Sequence, residues 1–305
     1  MNNKSVHRVF HSMGIAVHCT LVGISEKDAE QRVAIAEKIF TEYDQRFSRF
    51  NETSELSRLN SSNGKPQKVS IAMYQILKKC VALAEETNGA FDPSVGGILA
   101  SFGYGLPKNF AHPDRAPTHR DIVFNDAELE ITLALGQVLE PASVVKSMAI
   151  DDAASAFDGT PGYMINAGGD IVTHGVFEDG QQWNIAIQDP REQNAIVTAV
   201  GVQNVGMATS GTYQTRGKHA GKSWHHLVDM RTKENTQGVM SVTVVAPTCE
   251  QADQEATIAI LLGRVDGIAR LDRTGLPYFI ILDHGAIHKN AAFEALEIPF
   301  EKLVS

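Results

Sequence analysis

The stretch Val239-Met240-Ser241-Val242-Thr243-Val244-Val245-Ala246, followed by Pro247-Thr248-Cys249-Glu250-Gln251-Ala252-Asp253-Gln254-Glu255-Ala256-Thr257, switches from one periodicity to another within a few residues. Its first part is dominated by β-branched and apolar residues and reads as a strand over 239–246. From Cys249 the pattern predicts a helix over 249–262, with 264–272 helical as well. Working outward, 122–133, 162–166, 183–188, 196–205 and 278–283 read as further strands, and 143–157 as another helix. These elements alternate irregularly and lack the strict βαβ rhythm of a doubly wound sheet, so the sequence predicts an α+β fold. No internal repeat, low-complexity tract or long linker divides the 305 residues, a length that fits one large domain or two closely packed lobes.

Toward the N-terminus, residues 9–22, ending in Ala16-Val17-His18-Cys19-Thr20-Leu21-Val22, read as a strand that stops at Gly23. Ser25 and Asp28 then make a capping-box-like helix start, and Ala29, Val33, Ala36, Phe40, Tyr43 and Phe47 recur on one helical face. Ser70 opens a second helix whose apolar stripe is Met73, Ile76, Leu77, Cys80, Leu83 and Ala84, closed by Asn88-Gly89. Cys80 is therefore expected in the core. Two stretches look loop-like: 102–120, with three prolines, and 214–224, rich in Gly, Lys and His.

Composition excludes several classes of function. Hydrophobic residues at 43% and charged residues at 21% are ordinary for a globular chain with a core. A formal charge of −9 and no run of Lys and Arg argue against nucleic acid as a partner, because a surface that tracks phosphates needs clustered cations. Cys19, Cys80 and Cys249 are odd in number and lack metal-like spacing, which fits a reducing compartment. The first twenty residues build no secretory apolar stretch, and no run reaches the about 18 apolar residues of a membrane span. A cytoplasmic protein without a membrane span is the expectation.

Several clusters could carry chemistry, each with a plainer alternative. Asp253 and Thr257 stand four apart, so a carboxylate and a hydroxyl share one helical face, and hard oxygen donors of this kind suit Mg²⁺. An exposed acid beside a Thr bonded to its own helix explains the same spacing. Asn166-Ala167-Gly168-Gly169-Asp170 reads as a strand end entering a tight turn, where paired glycines either let backbone approach a ligand or simply make the turn. Met207-Ala208-Thr209-Ser210-Gly211-Thr212-Tyr213 reads as a small polar loop suited to phosphate oxygens.

His225-His226-Leu227-Val228-Asp229 offers a proton acceptor near a carboxylate; adjacent histidines on a strand point to opposite faces, which disfavours joint Zn²⁺ chelation. A surface or core histidine is the alternative. Phe91-Asp92-Pro93-Ser94-Val95-Gly96-Gly97 and Phe102-Gly103-Tyr104-Gly105 could wall a pocket for a planar ring or simply belong to the core. Lys146, near the start of a helix beginning around Ser143, could meet an anion or be solvated.

The order of these segments resembles the ApbE family of FAD:protein FMN transferases. Its members open with a Met-Gly-Thr stretch, matched by Met13-Gly14-Ile15, followed by Phe47-Ser48-Arg49-Phe50 and Ser54-Glu55-Leu56-Ser57-Arg58-Leu59-Asn60. Then come Ala90-Phe91-Asp92-Pro93, a Lys-containing segment from Leu139 to Asp151, Asn166 to Ile171, and Trp183 to Pro190. Thr209 to Tyr213, His226-Leu227-Val228-Asp229 and Ala252 to Thr257 complete the series.

The resemblance implies an ApbE-like, T-fold-like arrangement of mixed sheets with packed helices in one flavin transferase domain. It implies Mg²⁺ and FAD, transfer of FMN to a Thr of an acceptor flavoprotein, and release of AMP. Carried over by position, the flavin-nucleotide site comprises Met13, Phe50, Ala90, Phe91, Asp92, Glu140, Lys146 and Leu227. The metal site comprises Asp253, Thr257 and the Ser143 carbonyl. His226, Asp229 and Lys146 take the catalytic roles. Phe50 replaces a usual Tyr, Glu140 an Asp, Ser147 a Gly, and Met230 and Lys233 a Pro and a Gly. An FAD pyrophosphatase and a non-catalytic flavin-binding protein are the alternative functions.

Overall fold

The computed structural model describes residues 4–104, 115–192, 194–213, 215–219 and 222–299. Eight strands, each antiparallel to its neighbour, form the main sheet: β1 Ser5–Ser12, β2 Ile15–Val22, β3 Gly162–Ala167, β4 Asp170–Gly175, β5 Gly206–Gly211, β6 Val239–Ala246, β7 Tyr278–Leu282 and β8 Ile287–Lys289. They lie side by side in chain order. The longest helices are α1 Glu26–Phe47, α2 Ile71–Glu86, α3 Ala142–Ala154 and α4 Cys249–Thr274. Antiparallel sheets with separate helices make the fold α+β, as the sequence predicts.

Both expected helix starts hold. The Asp28 amide donates to Ser25 Oγ at 3.1 Å, and the Met73 amide donates to Ser70 Oγ at 3.2 Å. Ala29, Val33, Ala36, Phe40 and Phe47 are buried along α1, and Cys80 is fully buried in α2. The two helical stretches predicted on either side of Gly263 form one element, bent where that residue adopts φ 76° and ψ −177°.

Three expectations are corrected. Residues 9–22 are not one strand: Met13 (φ 52°) and Gly14 (φ 76°) make a two-residue turn between β1 and β2. Positive φ at both positions matches the right-handed strand twist, but Met carries no such signal in sequence. The loop expected over 207–213 is largely β5, registered on β6 from Gly206↔Ala246 to Gly211↔Ser241. Its small residues hide the strand signature yet permit close approach to α4, since a Cβ on Gly206 would lie 2.1 Å from the Cys249 nitrogen. The loop-like 214–224 contains most of an antiparallel pair, Arg216–His219 with Lys222–His225. Residues 105–114 of the other loop-like stretch lie outside the described residues.

Two compact units divide the chain. The first comprises Met1–Thr41, Lys146–Gly211 and Gln237–Ser305 and contains the whole eight-stranded sheet and α4. Its core joins Val22, Ile171, Met207, Val245, Phe279 and Ile281 of the sheet to Trp183, Ile185, Ile187, Val200 and Val202 of a separate hairpin. The second unit comprises Glu42–Val145 and Thr212–Thr236 and contains α2 and three short strands at 67–68, 123–125 and 130–132. Leu99, Val228 and Met230 form a buried cluster there.

Candidate active site

In the sheet-bearing unit, α4 begins at Thr248, whose side chain accepts from the Gln251 amide at 3.1 Å. Asp151, near the end of α3, accepts from the Cys249 and Glu250 amides at 3.0 and 2.8 Å. A carboxylate on the free amides of a helix N-terminus satisfies donors that have no intrahelical partner and complements the helix dipole. This contact fixes Lys146 and Ser147, one turn earlier on α3, against the first turns of α4.

Four elements then contribute to one buried polar cluster. Asp253 and Thr257 come from α4, Lys146 and Ser147 from α3, Asp170 from the start of β4, and Ser210 from β5. Asp253, Thr257, Asp170, Ser147 and Ser210 are all buried, whereas the Lys146 side chain keeps 30% of its surface exposed. Lys146 Nζ lies 2.7 Å from Asp170 Oδ2. The Ser210 and Thr257 hydroxyls are 2.8 Å apart, and the Thr257 hydroxyl donates to Asp253 Oδ1 at 3.4 Å. Asp253 Oδ2 is buried with no hydrogen-bond partner among the described residues.

The electrostatics follow from this crowding. Burial first, and then the Asp170 charge, push the Asp253 carboxyl up to about 8, while Lys146, Ser147 and Thr257 act against them. Burial opposes the Lys146 charge too, but Asp170 and Asp253 outweigh it and hold that ammonium above its ordinary range. Burial, followed by Asp170, also raises the Cys249 thiol, so this cysteine is an inert part of the wall.

Among the described residues no three His, Cys, Asp or Glu side chains gather as a metal cluster. Mg²⁺ does not require one, because it takes one or two carboxylates and fills its remaining positions with other oxygens. The unspent Oδ2 of Asp253, beside the Thr257 and Ser210 hydroxyls, is a hard-oxygen donor set that fits this ion. Ser143 lies in the first turn of α3 and is half-buried. Met13 occupies the β1–β2 turn.

In the second unit the sequence-predicted residues fall into two groups. Around Glu140, Arg49 Nη1 forms a 2.7 Å ion pair with Oε2, both side chains 11% exposed. Burial raises the Glu140 carboxyl, and Arg49 offsets part of that rise. The Arg49 guanidinium also stacks between Phe50, 4.6 Å from its ring centre, and Tyr104, at 4.1 Å. The Trp224 ring lies 5.3 Å from that of Tyr104, tilted by 51°. Phe50 itself is 71% exposed, an unusual position for a large aromatic ring. Sequence reasoning named Phe50 and Glu140 but missed Arg49, which joins them.

The second group is closed. Asp92 Oδ1 accepts from the Ser94 amide at 2.8 Å, and Oδ2 accepts from the His119 amide and faces its Nδ1 at 2.8 and 2.7 Å. Ala90, Phe91 and Leu227 are buried, and the Ala90 carbonyl accepts from the Met230 amide at 3.2 Å. A Pro at 230 could not make that bond, and Lys233, with φ 62°, holds the left-handed turn that a Gly would adopt without strain.

His226 Nδ1 lies 3.3 Å from the Thr215 carbonyl. Asp229 is engaged by Arg231, whose Nη2 and Nε reach its carboxylate at 2.7 and 3.1 Å and whose amide donates at 2.9 Å. Arg231, two residues on, thus grips the Asp229 carboxylate with both its backbone and its side chain. Asp170 and Ser210, members of the buried cluster, and Asp151, which holds the start of α4, are further residues that sequence reasoning did not name as site residues. The Gly168-Gly169 turn ahead of Asp170 was the available signal.

Comparison with known proteins agrees with this architecture. An FAD:protein FMN transferase of Haemophilus influenzae is 29% identical, over 91% of this chain and 85% of that one. One of the same name from Salmonella typhimurium is 29% identical over 90% and 83%. The crystal structure of an ApbE protein from Thermotoga maritima superposes with a TM-score of 0.85, covering 97% of this chain and all of that one at 24% identity. The flavin transferase ApbE from Vibrio cholerae gives 0.81, covering 96% and 99% at 24% identity. No described helix is long and apolar enough to cross a membrane. The sequence pattern of the ApbE family matches residues 13–280, which span the main sheet from the β1–β2 turn into β7 together with the cluster around Asp253, and the chain therefore belongs to the ApbE family.

Proposed function

We propose that the chain is a magnesium-dependent FAD:protein FMN transferase, which splits the FAD pyrophosphate and joins FMN through a phosphoester to a Thr of an acceptor flavoprotein, releasing AMP. The observation that carries this reading is the buried Asp253 Oδ2 without a partner, next to the Lys146–Asp170 ion pair. Family membership and the names of the relatives supply the reaction; the cluster supplies a place where pyrophosphate charge can be met in a chain of net charge −9.

Asp253, Thr257 and the Ser143 carbonyl are the proposed metal ligands. When bound there, Mg²⁺ supplies positive charge to the pyrophosphate oxygens. Lys146 adds an ammonium, carried on a side chain that keeps 30% of its surface exposed, to meet the substrate anion. His226 is the proposed general base. Its Nδ1 faces a carbonyl, which can only accept, so Nδ1 carries the ring proton and Nε2 keeps a lone pair. Nε2 takes the proton of the acceptor Thr hydroxyl as its oxygen forms a bond to the FMN phosphorus. The bond from that phosphorus to the bridging oxygen breaks, and the electron pair leaves with AMP. Asp229 acts through the loop, since its grip on Arg231 shapes the chain just after His226.

Phe50, with Met13, Ala90, Phe91, Asp92, Glu140 and Leu227, belongs to the flavin-nucleotide site in this reading, the exposed Phe50 ring being available for stacking. The two units act as one flavin transferase domain. A cytoplasmic location is part of the proposal, supported by three cysteines that are all buried and free.

Mass spectrometry of an acceptor flavoprotein incubated with the chain, FAD and Mg²⁺, with and without EDTA, tests the proposal. A metal-dependent mass gain equal to esterified FMN is the expected result. Free FMN and AMP with no adduct would replace transfer by hydrolysis, and intact FAD with bound flavin would leave a binding protein.

A further inference from the structure

We propose that Asp170 is a positioning residue that captures the Lys146 ammonium and so leaves the Asp253 carboxylate open to the metal, an inference that rests on the magnesium reading above. Asp170 opens β4 directly after the Gly168–Gly169 turn, where φ of 66° and 101° reverses the chain. Its residue exposure is 1%, and its Oδ2 holds Lys146 Nζ at 2.7 Å. Ser147, the next residue of α3, hydrogen-bonds the Asp253 carboxylate. Two buried carboxylates therefore flank one short stretch of α3, and that stretch offers a single ammonium.

The ammonium sits on Asp170, and Asp253 Oδ2 is left without a partner. A buried carboxylate oxygen left unsatisfied is costly, so the arrangement is sensible where another cation completes it. If Lys146 turned to Asp253 instead, its ammonium would fill the direction a metal ion needs. Asp170 prevents this by offering a competing partner fixed to the sheet. Two carboxylates and one ammonium also sum to one negative charge, which a divalent ion converts to one positive charge facing the pyrophosphate.

Isothermal titration calorimetry of Mg²⁺ into the full chain without FAD tests this independently of turnover. Asp170→Asn is expected to weaken Mg²⁺ by about 10–100-fold, the usual effect of losing a partner that orients a metal site. Adding Lys146→Met to Asp170→Asn is expected to recover most of that loss, because no ammonium then remains to occupy Asp253. A purely structural role for Asp170 would not be reversed by deleting the lysine. If Asp170→Asn fails to fold by circular dichroism, Asp170→Ser, alone and with Lys146→Met, carries the same two expectations. Wild-type affinity in the single variant, or no recovery in the double variant, overturns the role of Asp170 while the metal reading stands. Absence of Mg²⁺ binding by the wild type overturns both.

Discussion

Two buried carboxylates in this chain meet opposite fates. Asp92, in the unit built around α2, has both oxygens engaged, by the Ser94 amide and by the amide and ring of His119. Asp253, in the sheet-bearing unit, has one oxygen engaged by Thr257 and another that is buried and unspent. A satisfied buried carboxylate stabilises the fold around it, whereas one with spare acceptor capacity is poised for a ligand. The comparison separates scaffold from chemistry more sharply than burial alone, since both residues are about equally hidden.

The largest effect that follows concerns Asp253. Asp253→Ala is expected to lower FMN transfer by about 10³-fold or more, because a metal ion supplies several kcal/mol of charge stabilisation and each 1.4 kcal/mol is tenfold in rate. Steady-state assays across a Mg²⁺ titration check it, and transfer at the wild-type rate would remove Asp253 from the metal site. Asp92→Ala should break the comparison from the other side. It strands two amides and a buried imidazole, at about 1–3 kcal/mol for each unsatisfied group, so thermal unfolding falls by several degrees while Mg²⁺ affinity persists. Unchanged melting would remove this fold-stabilising role and leave Asp92 only its place in the proposed flavin-nucleotide site.

Phe50 tests the flavin end of the proposal with a smaller change. Because its ring is exposed, Phe50→Ala should leave stability nearly unaltered yet weaken FAD by about tenfold, the value of one stacking contact of about 1–1.5 kcal/mol. Flavin fluorescence quenching reads this directly, and equal affinity would place the ring elsewhere.

A pH effect completes the series. The Asp253 carboxyl is raised by burial and Asp170 to about 8 when no metal is bound, so the folded chain holds a proton that the unfolded chain releases near pH 4. The associated stability is fully present below the unfolded value and is lost as pH rises toward 8. Melting of the metal-free chain should therefore drop by a few degrees between about pH 6 and 8.5, and Mg²⁺ should raise it more at the upper end. A Mg²⁺ shift that is the same at both pH values would contradict this.

The fold was legible where periodicity was strong. Capping serines and four-three apolar spacing marked α1 and α2, and β-branched runs marked β6 and β7. It was hidden where small residues did the packing. β5 consists of Gly206, Met207, Ala208, Thr209, Ser210 and Gly211, a composition that reads as a turn, yet close approach to α4 requires it. The site was half legible for a related reason. Asp253, Thr257 and Lys146 stand on helices where spacing and family pattern single them out. Asp170 and Ser210 join them only through the pairing of β3 with β4 and of β5 with β6, which no local spacing encodes. Arg49 was passed over because its importance lies in Glu140 and Tyr104, both remote in sequence.

The most direct test of where the metal goes is a crystal structure of the chain grown with Mn²⁺ in place of Mg²⁺, read by anomalous scattering. The account predicts a peak within coordination distance of Asp253 Oδ2 and Thr257 Oγ1, with Lys146 still paired to Asp170. A peak elsewhere, or no peak and Lys146 bonded to Asp253 Oδ2, would contradict it.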